Sequence, residues 1–344
     1  HRHQRREQQP LHGEQNRIHA GMKTELGGWG RPRGAGGLNA IIPASAGTKT
    51  GRHDTSEENA MQTLTSEVYL EGLVFAECPR WQGGALWLSD MFGGRVLRST
   101  GPGQAEVVLE LPGRRPSGLA FLDDGSLLVV SMRDRRLLRR WPDGRVEPFA
   151  DLAPHVTGDL NDMVRAPDGG VFVGNFGFDL FGGAAGRLTG LHHVDAAGRV
   201  REVATELNFP NGMVITPDGR TLIVAETFAH RLTAFDLDRG RLSNRRVFAA
   251  LRDCAPDGIC LDAAGAVWVS AFVGDAYLRV EPGGNITHRV PLAGRRAVAC
   301  NLGGADGRTL FMLTADTDVQ RLARGDSAAR VEITRVEVAG AGSP

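Results

Sequence analysis

Five side chains that carry oxygen recur at one place in a repeated pattern of this sequence. They are Glu77, Ser117, Asn161, Asn211 and Asp257, and the sixth repeat has Ala297 at the same place. A single Asn or Asp before Gly is ordinary turn chemistry. Five oxygen-bearing residues in one register, led by a glutamate, need another reason, because desolvated carboxylates and amides are costly unless paired. Two carboxylates with two or three neutral oxygens make a hard ligand set. Such a set suits Ca²⁺ first, with Mg²⁺ and Mn²⁺ also matched. No Cys/His set with zinc spacing follows Met61, although an oxygen site can still take Zn²⁺.

Other chemistries are excluded by what the chain lacks. Both lysines, Lys23 and Lys49, precede Met61, so the later chain has no lysine Schiff base or lysine base. No GxSxG elbow occurs, and Ser117, in Pro-Ser-Gly, reads as a channel-lining hydroxyl. Five of the ten histidines lie before residue 60. His192 and His193 are adjacent on an expected strand and so face opposite sides, as surface or satisfied core residues. His155 and His230 read the same way on loops. Cys78, Cys254, Cys260 and Cys300 form no CxxC pair. They read as buried thiols in a reducing cytoplasm. The formal charge of the 344 residues is zero, so no global field favours nucleic acid or a membrane surface. No apolar run approaches the ~20 residues of a membrane helix.

The elements that must position the oxygen ring follow from the repeat. Each segment has a short apolar strand, a Gly-containing turn and a second apolar strand, as in Asn211-Gly212-Met213-Val214-Ile215, Asp218-Gly219, Leu222-Ile223-Val224. Asp-Gly suits a tight hairpin because Gly tolerates positive φ. A third strand such as Arg231-Leu232-Thr233-Ala234-Phe235 often follows. The repeats begin at 77, 117, 161, 211, 257 and 297, so the spacings are 40, 44, 50, 46 and 40 residues. A four-stranded meander at that period is a propeller blade. The expected fold is therefore all-β, a six-bladed β-propeller over 61–344. The strand near Val68 and the run Val331–Val336 are expected to share a blade and close the ring, which removes exposed edges. Residues 1–60 show neither period and few apolar residues, so they read as a disordered extension. With Met61 just before the first strand, that extension reads as vector-derived or upstream translation.

Four motifs carry a family resemblance: Glu77-Cys78-Pro79-Arg80-Trp81, Asn161-Asp162-Met163, Pro210-Asn211-Gly212-Met213 and Pro256-Asp257-Gly258-Ile259-Cys260-Leu261-Asp262. In that order, over about Val68 to Leu322, they resemble the senescence marker protein/gluconolactonase family of regucalcin-like lactonases. The resemblance implies a six-bladed propeller with one divalent cation in its channel and lactone hydrolysis; relatives hydrolyse phosphotriesters. It implies Glu77, Asn211 and Asp257 as metal ligands, and Asn161 as a fourth ligand or a substrate contact. Asp257 is the implied proton acceptor. Sugar-lactone members often have an arginine two residues before the Asn161 position. Asp159 stands there instead, which favours another lactone or an ester.

On this ligand set a cation would polarise the lactone carbonyl and acidify a water. Asn161 would help stabilise the oxyanion and Asp257 would take the proton. A second ring, Asp90, Ser131, Asn175, Glu226 and Ala271, closes the second strands. Of these, Asn175 and Glu226 are expected as substrate contacts beside Ser117 and Asp159. Phe176, Phe178, Phe228 and Phe272 are expected to make an apolar mouth. The partner is thus a small lactone or ester. The alternatives are an arylesterase or phosphotriesterase on the same site, or a non-catalytic Ca²⁺-binding scaffold.

Overall fold

The computed structural model describes residues 61–342, so the expectation for residues 1–60 lies outside the described part. Six sheets, each with a four-stranded antiparallel meander, form the blades. Their innermost strands are Ala76–Gln82, Pro116–Phe121, Leu160–Arg165, Pro210–Ile215, Pro256–Leu261 and Arg296–Gly303. These strands pack on one another in sequence around the ring, and the sixth meets the first. The fold is the expected six-bladed propeller.

Local chemistry explains the blades. In the four Asp-Gly turns that follow inner strands, Gly125, Gly169, Gly219 and Gly307 have φ of 78, 84, 70 and 71°. In each turn the preceding Asp carboxylate accepts the backbone N–H two residues on, at 3.0–3.1 Å. The inner strands are buried almost throughout, as in Pro210–Ile215, because neighbouring blades cover them. The outer strands are mostly exposed, as in Val200–Leu207.

Closure also follows the expectation. Blade six takes Arg296–Gly303, Thr309–Asp316 and Ala328–Arg335 from the C-terminal side. Its outermost strand is Glu67–Leu73, with Glu67 opposite Ile333 and Leu73 opposite Ala329. Three short elements among the described residues were not foreseen, one of them the 3₁₀ turn Thr227–Ala229. Gln62–Thr63 runs parallel to the outer strand of blade five, with Gln62 opposite His288. A five-residue helix, Val319–Ala323, is capped by Asp318, which accepts from the Arg321 N–H at 2.8 Å.

Two features of the inner strands position the site. Pairing with the second strand slips just after each strand begins, between Glu77 and Arg80, Leu160 and Met163, Pro210 and Met213, and Pro256 and Ile259. An unpaired residue there bends the strand and re-aims its head. The strands also approach closely at this level. A Cβ on Gly212 would stand 2.6 Å from the Ile259 nitrogen, and one on Gly258 would stand 2.6 Å from the Ala299 Cα. Glycine at those two points lets blades four, five and six close on the channel.

Candidate metal centre

Glu77, Ser117, Asn161, Asn211, Asp257 and Ala297 are each the second residue of an inner strand. All six are buried. Glu77, Asn161, Asn211 and Asp257 line one chamber, which holds about 660 Å³ of empty space counting its open mouth. Four blades therefore each send one oxygen-bearing side chain to a common floor. Ser117 is not among the lining residues. Its Oγ lies 3.5 Å from Cys78 Sγ, inside the wall.

The electrostatics of the floor favour a positive guest. Burial raises the pKa of Glu77 well above the usual carboxylate range, and the charges of Asp257 and Asp162 raise it further. Burial does the same to Asp257; a hydrogen bond from Asn211 opposes it and Asp162 adds to it. A cation between the two carboxylates would reverse both penalties. The amides are oriented to help. Asn161 Nδ2 donates to the Pro210 carbonyl at 3.4 Å, and Asn211 Nδ2 donates to Thr227 Oγ1 at 3.3 Å. No group of three or more His, Cys, Asp or Glu is placed to hold a metal among those residues. The set here has two carboxylates and two amides, all oxygen donors, and it fits a hard divalent cation.

Beneath the floor, Arg80 and Asp162 form a buried ion pair at 3.0 Å. Arg80 also donates to the carbonyls of Pro79, Leu119 and Met163 at 2.8, 3.0 and 2.7 Å. Its guanidinium thereby ties blades one, two and three together. Arg80 also lines a second, more polar cavity at the far ends of the inner strands, with Trp81, Asp123, Arg165 and Thr216.

Residues 75–316 match the sequence profile described as SMP-30/Gluconolactonase/LRE-like region. The chain belongs to the SMP-30/gluconolactonase family. It is 30% identical over 236 residues to a pentonolactonase of Haloferax volcanii, covering 66% of this chain and 78% of that protein. It is 28% identical over 285 residues to a 6-deoxy-6-sulfogluconolactonase of Pseudomonas putida, covering 79% and 94%. Among solved structures it is similar in fold to the calcium-binding protein regucalcin of Agrobacterium tumefaciens. That match has a TM-score of 0.67 and 22% identity, and covers 81% of this chain and 97% of the other.

Three of the expected substrate contacts need correction in this SMP-30/gluconolactonase chain: Ser117, which lies inside the wall, and the strand-end residues Asn175 and Glu226. Asn175 and Glu226 end their second strands as expected, but both are fully buried and neither lines the chamber. Asn175 donates to the Gly190 carbonyl at 2.9 Å and accepts from Thr189 Oγ1 at 2.7 Å. Glu226 accepts from the Asn208 N–H at 2.8 Å, from Arg231 at 2.9 Å and from Arg245 at 3.1 Å. Their polar atoms are used within their own blades, Asn175 against the strand Thr189–Val194 and Glu226 against Arg231–Asp238 and Arg241–Ala250. Asp90, at the same place in blade one, accepts the Val74 and Phe75 N–H groups at 3.0 Å.

Asp159 lies at the rim, 3.8 Å from Arg115. Burial raises its pKa against the pull of Arg115 and Arg135. The Arg115 guanidinium lies 4.6 Å from the Phe92 ring centre and 4.2 Å from that of Phe181. Phe176, Phe228 and Phe272 line the chamber as expected. Phe178 does not; it packs behind, 6.0 Å from Phe209. Phe75, Phe181, Phe209 and Thr227 line it without having been foreseen. Phe75 and Phe209 stand two residues before Glu77 and Asn211, so the register that found the floor also contains part of the wall. Phe181 lies in the loop 176–188, where no repeat signal reaches. His192 and His193 are buried, and His193 Nε2 lies 3.1 Å from Asp168. All four cysteines are buried and free, and burial together with Asp257 pushes Cys254 up to about 12.

Proposed function

We propose that this chain is a cytoplasmic lactonase that uses one divalent cation to open a lactone by attack of water. Ca²⁺ is the first choice, with Mg²⁺, Mn²⁺ and Zn²⁺ as alternatives. The observation that carries the reading is the convergence of Glu77, Asn161, Asn211 and Asp257, from four blades, on the floor of one chamber. Lactonases among the relatives support it. Four buried, unpaired thiols are consistent with a reducing compartment.

Glu77, Asn211 and Asp257 would hold the cation, with Asn161 beside it. When bound, the cation supplies Lewis acidity at the carbonyl and lowers the pKa of water. Asp257 takes the proton from the attacking water. The water oxygen bonds to the carbonyl carbon. Asn161 keeps one N–H beyond its bond to Pro210, and that N–H serves the developing oxyanion. The bond to the ring oxygen then breaks, the ring oxygen takes the proton from Asp257, and a hydroxy acid leaves. No covalent bond to the protein forms. Aromatic walls keep bulk water from the floor.

A panel of lactones, aryl esters and phosphotriesters, with and without EDTA, tests the reading. EDTA-sensitive ring opening that Asp257→Asn removes supports it. Preferential turnover of aryl esters or phosphotriesters would make the lactonase reading secondary. A folded, calcium-binding chain that hydrolyses no member of the panel would point to a scaffold.

A further inference from the structure

Above its oxygen floor the chamber is walled by Phe75, Phe176, Phe181, Phe209, Phe228 and Phe272. Four of the rings form a continuous arc. Phe176 stacks on Phe209 at 4.6 Å and 12°, Phe209 meets Phe228 at 4.7 Å, and Phe181 meets Phe176 at 6.1 Å. Such mutual packing fixes the wall before a ligand arrives. The polar lining residues are Glu77, Asn161, Asn211, Thr227 and Asp257. Four of them are the floor itself. Thr227 Oγ1 is already used, accepting from Asn211 and donating to the Pro256 carbonyl at 2.8 Å. At the rim, the Arg115 guanidinium lies against two phenyl faces and beside Asp159. A lactone whose carbonyl reaches the floor therefore projects its ring substituents among phenyl groups.

We propose that the substrate carries an apolar alkyl or aryl substituent and is not a polyhydroxylated sugar lactone. The ring-opening part rests on the lactonase reading; the apolar requirement rests on the walls alone. Each substituent hydroxyl buried without a partner lowers affinity by roughly five- to 150-fold. Each methylene seated on the phenyl wall raises it by about fourfold.

Lactams test the wall without chemistry, because the ring amide is not turned over. Titration calorimetry on the Ca²⁺-loaded full chain would compare δ-valerolactam, its 6-propyl and 6-pentyl derivatives, and D-gluconolactam. Affinity is expected to rise about fourfold per methylene, and the pentyl lactam to bind at least 100-fold more tightly than gluconolactam. A flat series, or gluconolactam binding as tightly as the pentyl lactam, overturns the proposal. Phe181→Ser, at the half-buried rim, and Phe209→Ser, in the wall, should each flatten the series. An unchanged slope in folded Phe181→Ser and Phe209→Ser chains also overturns it. In parallel, a pH-stat follows δ-decanolactone and δ-gluconolactone. Tight pentyl-lactam binding with neither lactone opened removes the lactonase reading and leaves the apolar ligand standing. Faster opening of gluconolactone than of decanolactone does the reverse.

Discussion

Glu77 and Asp257 are held where a carboxylate is poorly solvated unless a cation joins it. Burial raises both pKa values, and the charge of Asp257 raises that of Glu77. Neutral isosteres at these positions should therefore separate chemistry from stability. Asp257→Asn is expected to lower cation-dependent ring opening by roughly 10²–10⁴-fold, the range for losing a general base. Glu77→Gln should weaken Ca²⁺ binding in calorimetry. In EDTA both variants should melt at the wild-type temperature or above it, since each removes a desolvated charge. A lower melting temperature in EDTA would mean that these carboxylates stabilise the fold through protein partners. The floor residues were legible in the sequence because the repeat gives equivalent positions, and equivalent positions on inner strands share one ring. Asn175 and Glu226 were misread by the same reasoning. A repeat shows that strand ends are equivalent, but it does not show that their side chains turn back to bind neighbouring strands of the same blade.

At the scale of the element, Glu226 ties blade four together. It is fully buried and accepts from Asn208, Arg231, Thr233 and Arg245. Glu226→Ala leaves the Thr233 hydroxyl and the Asn208 N–H without their acceptor, while the partly exposed Arg231 and Arg245 can turn to water, and should cost about 1–3 kcal/mol in urea unfolding. The KM of the folded fraction should stay unchanged. A tenfold rise in KM with unchanged stability would restore Glu226 as a substrate contact. In blade three, His192 sits buried on the strand Thr189–Val194, and its Nδ1 has no hydrogen-bond partner. Burial, and then repulsion by His155, lowers its pKa from 6.5 to about 4. The unfolded chain thus takes up a proton near pH 6.5, while the folded chain resists until about pH 4. This contribution to stability is complete above pH 6.5 and is lost as pH falls toward 4. Urea midpoints at pH 7 and pH 5 should differ less in His192→Leu than in the wild type. An equal difference in the two chains would show that His192 does not carry this acid sensitivity.

The whole molecule depends on joining its two ends. Six blades were legible because each is one period of a repeat whose Asp-Gly turns and apolar strands are local signals. The strand Gln62–Thr63 and the helix Val319–Ala323 were not legible, because two and five residues carry too little pattern to stand above composition. Glu67–Leu73 lies between these cases: it has no repeat partner of its own, and only the need to close the ring assigned it to blade six. Its contribution can be sized. Tyr69, Leu70 and Leu73 are buried, and Tyr69 meets Phe311 edge-on at 5.3 Å. At about 1.5–3 kcal/mol for each large apolar side chain, the strand supplies roughly 5–9 kcal/mol. That is comparable to the whole net stability of an ordinary domain, about 5–15 kcal/mol. Removing it also exposes the edge of Ala328–Arg335 as a template for pairing with other chains. A chain beginning at Val74 is therefore expected to lose its cooperative thermal transition and to associate in solution, while Tyr69→Ala in the full chain should melt early but remain monodisperse. Because the floor needs inner strands from blades one, three, four and five at fixed spacing, the shortened chain should also lose Ca²⁺ binding. Calorimetry and light scattering on the two chains would decide it. A shortened chain that melts like the full one and binds Ca²⁺ equally would show that the ring holds without its closing strand.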